Sequence, residues 1–120
     1  MLNGNGAIVN TGGISGKYTY TAINNIVDVT AYDNTGDTHA GFVISLDNNT
    51  AYKTINLLDK GQNYKIYGFN SLEQGSTGTV VKWDNASSRK YEIFNSGNYT
   101  YYVVTFYGSK KLQLEVSTLT

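Results

Sequence analysis

Apolar and polar residues alternate with a period of two along almost the whole of this chain, and that period limits the fold more than any motif does. In "KYTYTAI" (17–23) Tyr18, Tyr20 and Ala22 alternate with Thr19, Thr21 and Ile23. The pattern recurs in "IVDVTAY" (26–32), "AGFVISL" (40–46), "AYKTINL" (51–57), "NYKIYGF" (63–69), "TVVKW" (79–83), "KYEIF" (90–94), "YTYYVVTFY" (99–107) and "KLQLEVS" (111–117), about nine strands in all. Between them lie "DNTGD", "LDNNT", "DKGQ", "EQGSTG", "DNASSR", "NSGN" and "GSKK", which supply Gly, Asn or Asp where a backbone must turn. Strands so closely spaced and so punctuated predict an all-β fold: an antiparallel sandwich, jelly-roll-like. The best candidate for a helical turn is "SLEQG" (71–75), with Ser71 placed to cap it and Gly75 to end it. It is too short to shape the architecture.

The most demanding run is "YTYYVVTFY", which carries five aromatic rings and no charge. As one strand it places Thr100, Tyr102, Val104 and Phe106 on one face and Tyr99, Tyr101, Val103, Thr105 and Tyr107 on the other. Both faces are too apolar for open water, so the strand is expected to be central and covered twice. In a two-layer domain the second cover comes from a loop, a ligand or a neighbouring subunit. The neighbouring subunit is the favoured expectation, which makes Tyr99, Tyr101, Val103 and Tyr107 candidate interface residues of a homo-oligomer.

At 120 residues the chain has the size of a single domain that buries roughly two-thirds of its unfolded surface. Residues 17–120 are read as one β-sandwich domain, and residues 1–16, with glycine at 4, 6, 12, 13 and 16, as a flexible lead or stem joint. Nine acidic residues balance nine basic ones, so no net field draws the protein to nucleic acid or to an anionic membrane. The absence of cysteine excludes disulfides, thiolate metal sites and a cysteine nucleophile. No run approaches the roughly 18 apolar residues of a membrane span. The first residues lack the positive start and apolar core of a signal peptide, so cytoplasmic synthesis, or derivation from a longer secreted or cell-surface protein, is expected. The sequons at Asn48, Asn85 and Asn98 are read as unmodified. Proline is absent, so edge strands must be protected by charge, bulge or assembly.

The inventory for catalysis is poor. "TGGISGKY" has Thr11 where a phosphate-binding loop needs its first glycine and Tyr18 where it needs Ser or Thr, and a strand follows instead of a helix. His39 is the only histidine, sits in the turn-rich "DNTGDTHAG" and is read as a surface residue; no G-x-S-x-G elbow accompanies it. Most of the six aspartates lie in turns, while Asp28 and Glu92 alternate with apolar neighbours and are expected to face solvent. "DNTGD" (33–37) has the oxygen ligands of a calcium loop, but a hairpin turn accounts for Asp33, Asn34 and Gly36 better. Neither metal, cofactor nor enzymatic activity is expected.

Recognition chemistry remains. Eleven of the sixteen aromatic residues are tyrosine, which suits wet contact surfaces. Sugar rings stack their C–H faces on aromatics and bond Asn, Asp and Tyr. "KWDNASSRK" (82–90) offers Trp83 with an Asp-Asn turn, so Trp83, Asp84, Asn85 and Arg89 are the candidate ligand-binding residues. The glycine- and asparagine-rich "NGNGAIVNTGGISG", the Tyr/Thr/Asn-rich strands and the lack of cysteine together resemble phage and viral tail-fibre or receptor-binding head domains. That resemblance implies a trimeric jelly roll on a virion appendage, made in the host cytoplasm, that binds cell-surface saccharide or a protein receptor. The alternatives are a purely structural virion or baseplate module whose aromatic face joins subunits, and a small inhibitor of a host protein.

Overall fold

The computed structural model describes residues 2–24, 26–30, 38–45, 52–57, 64–84, 90–93, 99–106 and 111–119. Among them the fold is all-β and antiparallel, without a helix. The strands are β1 (Leu2–Asn10), β2 (Gly13–Ala22), β3 (Ile26–Thr30), β4 (Thr38–Ser45), β5 (Tyr52–Leu57), β6 (Tyr64–Phe69), β7 (Thr79–Asp84), β8 (Lys90–Ile93), β9 (Tyr101–Phe106) and β10 (Lys111–Leu119). They form a six-stranded sheet of order β2-β1-β4-β9-β6-β7 and a four-stranded sheet of order β3-β10-β5-β8. The nine alternating runs of the sequence coincide with β2 to β10.

The strand the alternation misses is β1. The glycine-rich stretch read as a flexible lead is built into the six-stranded sheet between β2 and β4, with Ala7 and Val9 fully buried. Its glycines do not signal looseness here; they make room. Gly6 pairs with Tyr18 of β2, and a Cβ at Gly6 would lie 2.1 Å from the Tyr18 ring. The same device recurs at Gly68, where a Cβ would lie 2.5 Å from the Tyr99 ring. An aromatic ring lying across a glycine covers the bare backbone that the missing side chain exposes.

β9 is central, as its composition demands. Its even residues Tyr102 and Val104 join Ala40, Phe42 and Ile44 of β4, Tyr64 and Ile66 of β6, and Val27 and Val29 of β3 in one buried cluster. The first face of the six-stranded sheet is thus covered by β3 of the other sheet. On the opposite face Val103 joins Ala7, Val9, Ile14, Val43, Tyr67 and Phe69 in a second cluster. Ile14 reaches that face although Tyr18 and Tyr20, also at even positions, pack on the first. A β-bulge between Ile8 and Val9 resets the register, and Ile14 consequently pairs with buried Val9.

Tyr18, Tyr20 and Phe42 meet in sequence across the first face as tilted ring pairs, with centroids 5.9 and 5.3 Å apart. Their hydroxyls are treated differently. Tyr18 donates to the Gly41 carbonyl at 3.2 Å, whereas the buried Tyr20 hydroxyl has no hydrogen-bond partner among the described residues. Burial, and secondarily the neighbouring Tyr18, holds the Tyr20 phenol far above its ordinary ionisation range. Folded Tyr20 therefore keeps its proton at pH values where the unfolded chain, ionising near about 10, loses it, and stability falls as pH rises through that region.

Two phenylalanine substitutions separate these roles. Tyr18→Phe is expected to cost about 0.5–1.5 kcal/mol in denaturant titrations at pH 7. Tyr20→Phe is expected to leave stability at pH 7 unchanged or raised, and to reduce the loss of stability between pH 9 and 11.

Candidate functional site

The second face of the six-stranded sheet is covered at one end by the chain itself. The β6–β7 connection, residues 70–78, is compact: the Glu73 amide donates to Ser71 Oγ at 3.2 Å, and the Ser76 amide donates to the Glu73 carbonyl at 3.0 Å. Gly75 takes a φ of 92°, the left-handed position that a turn of this kind reserves for glycine. The capping and terminating roles expected of Ser71 and Gly75 are thus performed in a turn, not in a helix. Leu72 packs on the second cluster.

This connection is tied to the β1–β2 hairpin, far away in sequence. The Ile14 amide donates to the Ser76 carbonyl at 2.9 Å, the Gly75 amide to the Ile14 carbonyl at 2.7 Å, and the Gly78 amide to the Gly12 carbonyl. Gly13 and Thr77 add an antiparallel bridge. Through Leu72 this strap packs on the cluster that contains Val103, which is fully buried within the chain.

Two openings flank this strap. One, about 340 Å³, is lined by Asn5, Ala7, Lys17, Thr19, Val43 and Leu72 among others. The other, about 250 Å³, is lined by Thr11, Gly12, His39, Lys65, Tyr67, Gly78 and Val80. The second has the richer chemistry. His39 and Tyr67 project from β4 and β6, on either side of β9, and their rings stack with centroids 6.2 Å apart at 26°. Thr105 between them fixes the local backbone, donating from Oγ1 to the Lys65 carbonyl at 3.1 Å. Two aromatic rings, a lysine and the β1–β2 turn thus line one small cavity.

His39 is not the surface residue its polar neighbours suggest: it is 2 % exposed, because β4 begins at Thr38 and carries it onto the covered face. The turn opposite is strained. Thr11 and Gly12 both have positive φ, 53° and 79°, the two-residue geometry that matches the twist of a hairpin. Glycine adopts it freely; a β-branched threonine does not.

The sequence-predicted residues disperse on this frame. Trp83 and Asp84 end the edge strand β7, in register with Lys65 and Tyr64 respectively, so Trp83 lies across the ladder from a residue of the smaller cavity. Asn85 and Arg89 lie outside the described residues, as do Tyr107 and the Asp33–Asp37 turn. Tyr99, Tyr101 and Val103 do not share a face. The chain bends at Thr100 before β9 starts, and Tyr99 packs edge-on against Tyr102, 5.9 Å between ring centroids, on the first face. Val103 is fully buried within the chain, and Tyr101 is half-buried against the same cluster. Asp28 is exposed, as its alternation implies. Among the described residues, no group of three or more His, Cys, Asp or Glu side chains is placed to hold a metal ion, and no helix is long and apolar enough to cross a membrane.

The cavity residues come from three elements, His39 from β4, Lys65 and Tyr67 from β6 and Thr11 from the β1–β2 turn, and no spacing in the sequence joins the three. Gly12 is the one local signal, since glycine between two strands supplies the positive φ a tight hairpin turn requires. No protein-family model matches the chain, and neither does any curated protein or solved structure.

Thr11→Asn replaces the strained residue by one that tolerates the left-handed region, giving the Asn-Gly pair this turn favours. It is expected to raise stability by about 1 kcal/mol in equilibrium unfolding.

Proposed function

We propose that this chain is a non-enzymatic recognition domain, an antiparallel β-sandwich of jelly-roll type, that binds carbohydrate. By the resemblance its composition carries, its place is on a phage or viral appendage facing host-surface saccharide. The observation that carries the reading is the cavity of about 250 Å³ beside the strap, with the stacked Tyr67 and His39 rings, Lys65 and Thr11 in its lining. A sugar ring needs an apolar wall and a few polar groups, and residues of both kinds line this cavity. Trp83, in register with Lys65, is the neighbouring aromatic residue that would extend the contact, with Asp84, Asn85 and Arg89 following it in the chain.

A second reading is favoured by a separate observation. Val80 and Val81, 49 % and 38 % exposed, lie on the edge strand β7. Adjacent exposed valines on an edge suit pairing with another chain, as in a structural virion or baseplate module.

A glycan array separates the two. Under the recognition reading the wild-type protein binds a defined saccharide, and Trp83→Ala lowers its affinity about tenfold with an unchanged circular dichroism spectrum. Binding to no saccharide, with dissociation of an oligomer by Val81→Lys in light scattering, favours the structural module instead.

A further inference from the structure

We infer that the larger opening beside the strap, about 340 Å³, takes a small organic anion: a carboxylate carried on a short aliphatic chain. This site is separate from the cavity on which the carbohydrate reading rests. Its volume reaches the range of about 300–1,000 Å³ typical of small-molecule pockets, which the opening beside His39 does not. Strand pairing produces the hollow. Lys17 of β2 lies beside Ala7 of β1, and Ala7 beside Gly41 of β4; Thr19, Asn5 and Val43 form the next row in the same order. With a single methyl group at Ala7 and no side chain at Gly41, the sheet surface is low between the longer residues, and Leu72 of the strap bounds it.

The lining divides by chemistry. Ala7 and Val43 form a buried floor, and half-buried Leu72 with the methylene stem of Lys17 supplies the apolar wall that water still reaches. Asn5, Lys17 and Thr19 are exposed and make the rim polar. The described lining contains no Asp or Glu, and Lys17 has no ion-pair partner among the described residues. An ammonium at the edge of an apolar hollow matches an anionic group with an apolar tail. The tail displaces water along Leu72, while the carboxylate stays at the wet rim, where Lys17 provides a charge-assisted hydrogen bond. A sugar finds no ring to stack on here. Tyr18, the one aromatic residue of the described lining, lays its ring across Gly6 on the first face and donates its hydroxyl to the Gly41 carbonyl.

The test is a titration of the full chain with hexanoate, hexanol and acetate, followed by amide resonances. Hexanoate is expected to shift the Asn5, Lys17, Thr19 and Leu72 amides, while those of Thr11 and Gly78 at the other opening stay in place. Acetate, which lacks the tail, is expected to bind about tenfold more weakly, the worth of about two buried methylenes. Hexanol, which lacks the charge, is expected to bind about fivefold more weakly, the scale of an exposed charge pair. Lys17→Met is expected to bring hexanoate down to the affinity of hexanol with an unchanged melting temperature, and Lys17→Arg to keep the difference. Equal affinity for hexanoate and either comparison compound overturns the assignment, as does wild-type affinity for hexanoate in Lys17→Met. Shifts centred on Thr11 and Gly78, or no binding of hexanoate, overturn it too. None of these outcomes bears on the carbohydrate reading, which the glycan array decides separately.

Discussion

A strand that is apolar on both faces must be covered twice, and the structure is organised around that requirement. β9 lies inside the six-stranded sheet between β4 and β6. Val104 on one side and Val103 on the other are both essentially removed from water. On the first side the cover is Val27 and Val29 of the four-stranded sheet. On the second it is the strap of residues 70–78, held by backbone hydrogen bonds to the β1–β2 hairpin. The strap is short, so it covers one end of its face and leaves openings beside it. The candidate site is a consequence of how the second core is closed.

The glycines and the β1 bulge make this closure possible. Gly6 and Gly68 give up their side chains to the Tyr18 and Tyr99 rings, which allows large aromatics to lie flat on the sheet without forcing neighbouring strands apart. The bulge at Ile8 and Val9 turns Ile14 onto the second face, next to the strap that its own backbone binds. Hydrogen-bonded turns, ring-on-glycine contacts and a register shift thus act on the same few strands. Thr11 sits where they meet, and its left-handed backbone is the local cost of the hairpin that anchors the strap.

Much of this was legible in the sequence, and what was not has physical reasons. Alternation located β2 to β10, because a half-buried strand imposes a period of two on its side chains. It missed β1, because in "LNGNGAIVN" the positions that accept aromatic rings are glycines and leave no apolar mark. The double burial of β9 was readable from the two apolar faces of the run, which carry Val103 and Val104 on opposite sides. The identity of the second cover was not, since Ile14 and Ser76 are brought together only by the topology. His39 was misread from its polar neighbours, although the run that follows, Ala40 to Ile44, is strand-like and carries it inward. Tyr99 was misplaced because the bend at Thr100 interrupts an alternation that the letters continue. The cavity was invisible for the same reason as the strap: Thr11, His39, Lys65 and Tyr67 are neighbours only after the sheet has formed.

The functional reading therefore depends on a feature of the monomer, a second core closed from within and open beside its closure. Native-state hydrogen exchange on the chain, at concentrations where light scattering reports a monomer, tests that feature most directly. The amides of Ile14, Gly75 and Gly78, which donate across the strap, should be protected to the same degree as those of Val103 and Val104 in β9. Fast exchange at Ile14, Gly75 and Gly78 in the monomer, with protection gained only on association, would show that another subunit closes this face and would contradict the account.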